Sequence, residues 1–224
     1  MRRWSLIILA CLCTAARLFA AEAVEDLEVR HFEVFADDRP IGSHSLQIWK
    51  QNDRTTVVMK SNVALKVLLI RYSHMFDGQE VWDGSSLIAA EATTNANGKK
   101  FHLRLKGNGD KVLLQCQDRV VKADAPQMTT AYSRLPPGIR HEQKVRLLDL
   151  DDGELATTIW RFAGNDELIV ADRRVPCGKW EVTGELEAEL WFDAGGWLVR
   201  QKTVEQGHPA ELRLTSILRE RAKP

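Results

Sequence analysis

Between Lys179 and Phe192 apolar and polar residues alternate without a break. Trp180, Val182, Gly184, Leu186, Ala188, Leu190 and Phe192 hold the even positions, with Lys179, Glu181, Thr183, Glu185, Glu187 and Glu189 between them. A period of two sustained over fourteen residues describes a strand with one buried and one wet face. A helix would scatter the glutamates around its axis and leave no apolar stripe. The expectation is one long strand, and a chain that builds a sheet around it.

The rest of the sequence agrees. Shorter alternating runs occur at Phe32–Ala36, His44–Ile48, Thr55–Met59, Phe101–Leu105, Lys111–Cys116, Leu155–Phe162, Glu167–Ala171 and Leu212–Leu218. Turn signals separate them: Asp37-Asp38-Arg39-Pro40, Asn97-Gly98, Asn108-Gly109, Asp151-Asp152-Gly153, Gly195-Gly196 and Gly207. This spacing predicts a mainly β fold, a single antiparallel meander with little helix. Val63–Ile70, "VALKVLLI", admits two readings: a strand buried on both faces, or a short helix capped by Ser61 or Asn62. Leu135-Pro136-Pro137-Gly138 interrupts the pattern and marks a loop, with a two-half organisation around 125–142.

The N-terminus reads differently. Met1-Arg2-Arg3-Trp4 precedes an apolar run of about a dozen residues, shorter than the roughly 20 that a membrane helix needs. With small residues at Ala20, Ala21 and Ala23, it reads as a secretory signal peptide over 1–23. Cys11 and Cys13 stand too near the start to be a lipoprotein acylation site. The expected mature protein is one domain over 24–224, periplasmic or secreted, with no transmembrane anchor after cleavage. The 31 basic and 31 acidic residues balance, so no nucleic-acid partner is expected. Cys116 and Cys177 remain after cleavage. They form either one disulfide, worth about 4 kcal/mol in the chain-entropy account, or two buried thiols whose strands never meet.

The stretch Glu189–Arg200, "ELWFDAGGWLVR", is the most site-like passage. Gly195-Gly196 suits a tight hairpin without any ligand. Trp191 continues the wet face of the glutamates, and Trp197 is expected to lie across from it on the return strand. A shift of 109 aligns Glu80, Trp82, Thr94, Gly98, Leu103, Arg104 and Leu105 with Glu189, Trp191, Thr203, Gly207, Leu212, Arg213 and Leu214. The hairpin is therefore a building unit used twice.

The runs "YSHMFDGQEVWDGSSLIAAEATTNANG" (Tyr72–Gly98), "VRLLDLDDG" (Val145–Gly153) and "ELWFDAGGWLVRQ" resemble a bacterial family of exported proteins of unknown function. The resemblance implies a β-clamp, a curved half-barrel similar to the periplasmic lipoprotein-localisation carriers. Where such proteins often show Tyr-Trp, this chain has Tyr132-Ser133. No catalytic residues come with the resemblance.

Candidates for chemistry are few. Tyr72, His74, Phe76, Glu80 and Trp82 share one parity. His74 and Glu80 would make an acid–base pair, but they stand about 20 Å apart along a strand. Only a chain reversal at Asp77-Gly78 would join them. His44 lies on the apolar parity with Leu46 and Ile48, as a partly buried histidine with a backbone partner. The six histidines are scattered, so no metal and no cofactor is expected. Met59, Leu65, Val67, Leu69, Tyr72, His74, Glu80 and Trp82 are the candidates for a groove on the concave face. The expected role is a non-catalytic envelope protein that binds a lipid, acyl chain or lipoprotein tail there. The alternative is a scaffold or chaperone-like module that meets other envelope proteins through sheet edges or aromatic turns.

Overall fold

The computed structural model describes residues 26–67, 70–136, 138–205 and 208–220. The expected signal peptide lies outside them. The first eight strands are β1 (Leu27–Ala36), β2 (Arg39–Gln51), β3 (Arg54–Val67), β4 (Ile70–Asp83), β5 (Ser86–Ala96), β6 (Lys99–Asn108), β7 (Lys111–Cys116) and β8 (Arg119–Asp124). Then follow β9 (Met128–Thr129), β10 (Glu142–Leu148), β11 (Leu155–Val170), β12 (Arg173–Gly184), β13 (Ala188–Asp193), β14 (Leu198–Glu205) and β15 (His208–Glu220). No helix occurs among the described residues. All fifteen strands belong to one sheet, ordered β8-β7-β6-β5-β4-β3-β2-β1-β15-β14-β13-β12-β11-β10-β9. Every ladder is antiparallel except the two-residue contact of β9 with β10. The expected antiparallel sheet is therefore present, curled but not closed.

Curling gives the sheet an inside and an outside, and residue parity assigns them. Phe32 on β1, Leu46 and Ile48 on β2, Val57 and Met59 on β3, and Leu103 and Leu105 on β6 all point inward into one core, and Arg30 and Val34 are buried at the same parity of β1 as Phe32. Trp160, Trp180 and Phe192 meet in that core, with ring centroids 6.3–6.5 Å apart around Trp160. The two sheet edges approach each other without a backbone ladder. Asp124 of β8 reaches Arg146 of β10 at 3.3 Å, and Arg119 reaches Glu154 at 2.8 Å. Exposed ion pairs of this kind contribute only about 0–1 kcal/mol each. The interior packing, more than the seam, holds the curl.

The long strand expected over Lys179–Phe192 is instead a hairpin. β12 stops at Gly184, whose φ of 115° is open to glycine, and β13 returns from Ala188. Val182 pairs with Ala188, Glu181 with Glu189 and Trp180 with Leu190. Each pair joins two even or two odd positions, and ladder partners share a face. Alternation therefore runs through the turn unbroken, and periodicity cannot detect the reversal. Conversely, the two runs expected at Leu155–Phe162 and Glu167–Ala171 merge into β11, with a register shift at Phe162/Gly164. The helical reading of "VALKVLLI" is excluded: β3 ends at Val67 and pairs there with Ile70, the first residue of β4.

The chain between β8 and β10 crosses the interior. Leu135 donates its amide to Gly196 O (2.7 Å), and Leu198 donates to Ser133 O (3.1 Å). This crossing segment divides the inside into a sealed part and an open mouth.

Candidate functional site

The sealed part contains three of the eight residues expected to line a groove. Met59 and Glu80 are fully buried, and Trp82 is 1% exposed. Glu80 accepts hydrogen bonds from Trp82 Nε1 (3.0 Å), Ser133 Oγ (3.3 Å) and Thr129 Oγ1. Thr129 and Ser133 belong to the crossing segment, so this buried carboxyl ties β4 to it. Burial raises the Glu80 pKa, opposed by the bonds from Thr129, Trp82 and Ser133 and by the charge of Arg134. The open concave groove expected at Met59, Glu80 and Trp82 is therefore absent, because the crossing segment fills it.

His74 does not meet Glu80. β4 runs through Asp77-Gly78 without reversing, and its register shift lies at Val81/Trp82. His74 Nε2 lies 3.2 Å from Asp151 Oδ1, which also accepts from Thr94 Oγ1 at 2.7 Å. The Tyr72 ring stacks beside His74 at 6.5 Å. Leu65 is half-buried, Val67 closes β3, and Leu69 lies outside the described residues. His44 is buried against the edge of Phe32, at 5.7 Å. Its Nε2 has no hydrogen-bond partner, contrary to the backbone partner expected for it. Burial drives its pKa down to about 4.

Cys116 and Cys177 are free and buried. They lie on β7 and β12, which are not neighbours in the sheet, so the considered disulfide is not formed. Burial, then the carboxylates of Asp193 and Asp166, push the Cys177 thiol up to about 11. That makes it a poor nucleophile at neutral pH.

The open mouth is built from the passage "ELWFDAGGWLVR". At its turn, Asp193 Oδ1 accepts from the amides of Gly195 (2.9 Å) and Trp197 (3.0 Å). The other carboxylate oxygen accepts from Arg30, a guanidinium with no exposure that also donates to Leu198 O at 3.0 Å. A carboxylate held on both sides fixes the turn rigidly, and Gly196 takes a φ of 73° there. Across from it runs the crossing segment, bridged to the turn through Arg134 and Trp197. Between the two lies a groove of about 520 Å³.

Leu135, Pro136, Ile139, Trp180 and Trp197 supply its apolar wall. Lys50 and Arg134 supply its charge, and no Asp or Glu is among the described residues that line it. Lys50 Nζ sits 5.0 Å from the centre of the Trp197 ring, and the Arg134 guanidinium 5.0 Å from that of Trp82. Burial lowers the Arg134 pKa, partly offset by the charge of Glu80 beneath. Lys50, Arg134 and Trp180 were not legible as site residues, because they come from segments far apart in sequence.

Trp197 does not face Trp191, as the hairpin reading expected. Trp191 pairs with Arg200 and Lys179 on the outer face. Lys179, Arg200 and Lys202 lie 5.0, 5.1 and 5.9 Å from its ring centre. Its indole N–H donates to Asp166 at 2.8 Å. This tryptophan is packed under cations, whereas Trp197 stands at the mouth.

A family model for a domain of unknown function, DUF6134, matches residues 32–215. The chain belongs to that family. The match spans both meanders, the crossing segment and the whole mouth of this DUF6134 protein. No curated protein matches it in sequence. Among solved structures, it is similar to a β-barrel-like protein of the domain of unknown function DUF1849 from Brucella abortus. The TM-score is 0.66 at 8% identity, over 88% of this chain and 99% of that one. A DUF1089-family protein from Pseudomonas aeruginosa aligns over 72% of this chain and 89% of its own, with 13% identity and a TM-score of 0.49. The first likeness shows a β-barrel-like fold and nothing about activity. A family of unknown function was expected from the resemblance, and at that level the expectation holds.

Proposed function

We propose that this DUF6134 protein is a non-catalytic binding protein of the cell envelope that holds an amphiphile in the mouth groove. The observation that carries the reading is the groove itself: about 520 Å³, within the roughly 300–1,000 Å³ of small-molecule clefts. An apolar wall with a few polar groups is the usual composition of such sites. Each methylene buried against that wall contributes about 0.8 kcal/mol. The basic, apolar N-terminal sequence supports export to the compartment where such ligands are met. The ligand site differs from the one sought on the concave face, since the crossing segment occupies that face.

Native mass spectrometry of the protein purified from its own envelope fraction tests this. The reading expects a small-molecule adduct that is absent from an Ile139→Glu variant. Bare protein in both samples contradicts it. The alternative role, a protein-interaction module, has support of its own in the edge strand β8. There Val120 is 59% exposed, beside Leu113 on β7 at 50%, and exposed apolar side chains of this kind suit contact with another protein. A co-purified polypeptide in place of a small molecule favours that role.

A further inference from the structure

We infer that the ligand of the mouth groove is a single-chain amphiphile with an anionic head, the head held by Arg134 and Lys50 and the chain lying against Trp197 and Ile139. The inference rests on the groove reading above and adds the chemical class. Its basis is a charge imbalance. Two cations and no carboxylate line the cleft among the described residues. Neither Lys50 nor Arg134 belongs to any ion pair among the described residues.

Arg134 is the more telling of the two. It is half-buried, and of its five N–H donors one reaches a protein acceptor, Gly84 O at 3.2 Å. Withdrawing a cation from water without a partner is unfavourable, so its remaining donors favour an incoming anion. Glu80 lies close enough to influence Arg134 electrostatically, but it already accepts three hydrogen bonds and lies beneath the cleft floor. Lys50 is exposed at the end of β2, and the Trp197 face holds it over the groove. Stacking on an aromatic ring orients a cation while leaving its N–H groups free. A cationic head would meet two like charges, and a neutral head would leave those donors without a charged acceptor. A volume of about 520 Å³ favours one chain over several.

The test is equilibrium dialysis of the folded protein against decanoate, decan-1-ol and acetate at matched concentration. Decanoate is expected to bind at least about tenfold more tightly than decan-1-ol, the increment of a charge-assisted hydrogen bond. Lys50→Gln and Arg134→Gln should each bring decanoate down toward the alcohol, so that the ratio of the two affinities approaches one. Lys50 is exposed, so its variant keeps the fold even if Arg134→Gln does not. Equal binding of decanoate and decan-1-ol overturns the anionic head and leaves the groove reading standing. Discrimination that survives in folded Lys50→Gln overturns the role given to that residue. Acetate binding as tightly as decanoate removes the chain from the ligand. Absence of all binding overturns the groove reading itself.

Discussion

The meanders β4–β6 and β13–β15 share seven identities at a spacing of 109, yet they send their Glu-x-Trp pairs to opposite faces. Glu80 and Trp82 point inward and are sealed. Glu189 and Trp191 take the opposite face, with Glu189 on Lys179 and Trp191, itself only 3% exposed, buried beneath three cations. The register explains the difference. Thr94 pairs with Phe76 and Thr203 with Ala188, whereas the residue equivalent to Phe76 is Glu185, three positions before Ala188. An odd offset moves every side chain of a strand to the other face. Its source is the turn: Trp82 pairs with Leu87 around Gly84, but Phe192 pairs with Leu198 around Asp193–Trp197. The longer turn also supplies the wall of the groove. One repeat unit thus places its Glu-x-Trp pair beside the crossing segment and its copy places it beneath cations on the other face, through a change in turn length.

The largest expected contrast is between the two tryptophans. Trp82→Ala should cost about 3–5 kcal/mol, as for other large core truncations. Trp191→Ala should cost about half of that, since the flexible stems of Lys179, Arg200 and Lys202 can collapse into the space. Urea denaturation of both variants measures it, and equal losses would remove the distinction between sealed and outer faces.

The sealed side should also show a pH dependence. The His44 pKa falls from 6.5 unfolded to about 4 folded, so its neutral form contributes stability present above pH 6.5 and lost as pH falls toward 4. The loss amounts to roughly 3 kcal/mol. Asp149 acts with the opposite sign. Burial raises its pKa from 3.8 to about 6, giving stability that is present below pH 3.8 and lost as pH rises through 6. The His44 effect is therefore read as the difference between the parent and His44→Leu across this range. Parallel curves for the two proteins would contradict the buried, unpartnered state of His44.

A smaller contrast concerns the glutamates. Glu80→Ala leaves Thr129, Ser133 and Trp82 without their acceptor and should cost about 2–3 kcal/mol. Glu189→Ala should cost no more than about 1 kcal/mol, since what it loses is a half-buried pair with Lys179. A double-mutant cycle of Glu80 with Thr129 sharpens this by isolating the tie between β4 and the crossing segment. The smallest expected effect is zero. Reductant should leave the unfolding midpoint unchanged, with the thiols of Cys116 and Cys177 both titrating after denaturation, because the two are unpaired.

The strands were legible because alternation is local: each residue of β1, β3 or β7 reports its own face. Two things were not. The reversal at Gly184 preserves parity, so the pattern of Lys179–Phe192 reads the same for one strand or two. The filling of the concave side depends on Ser133 and Thr129 meeting Glu80, about fifty residues away, and no period records such a pairing. Met59, Glu80 and Trp82 are buried where an open groove is expected, a closure that parity does not register. The mouth was half legible. Gly195-Gly196 and Leu135-Pro136-Pro137-Gly138 were both seen as breaks in the pattern, and what escaped was that these two breaks meet.

Hydrogen–deuterium exchange with and without decanoate tests the central claim, that the second hairpin and the crossing segment together form the binding site. The account predicts slowed exchange in 134–136, 138–139 and 193–198, with the β4–β5 turn and the interior strands unchanged. Protection centred on β3, β4 and β5 instead, with the mouth unaffected, would contradict it and return the site to the concave face.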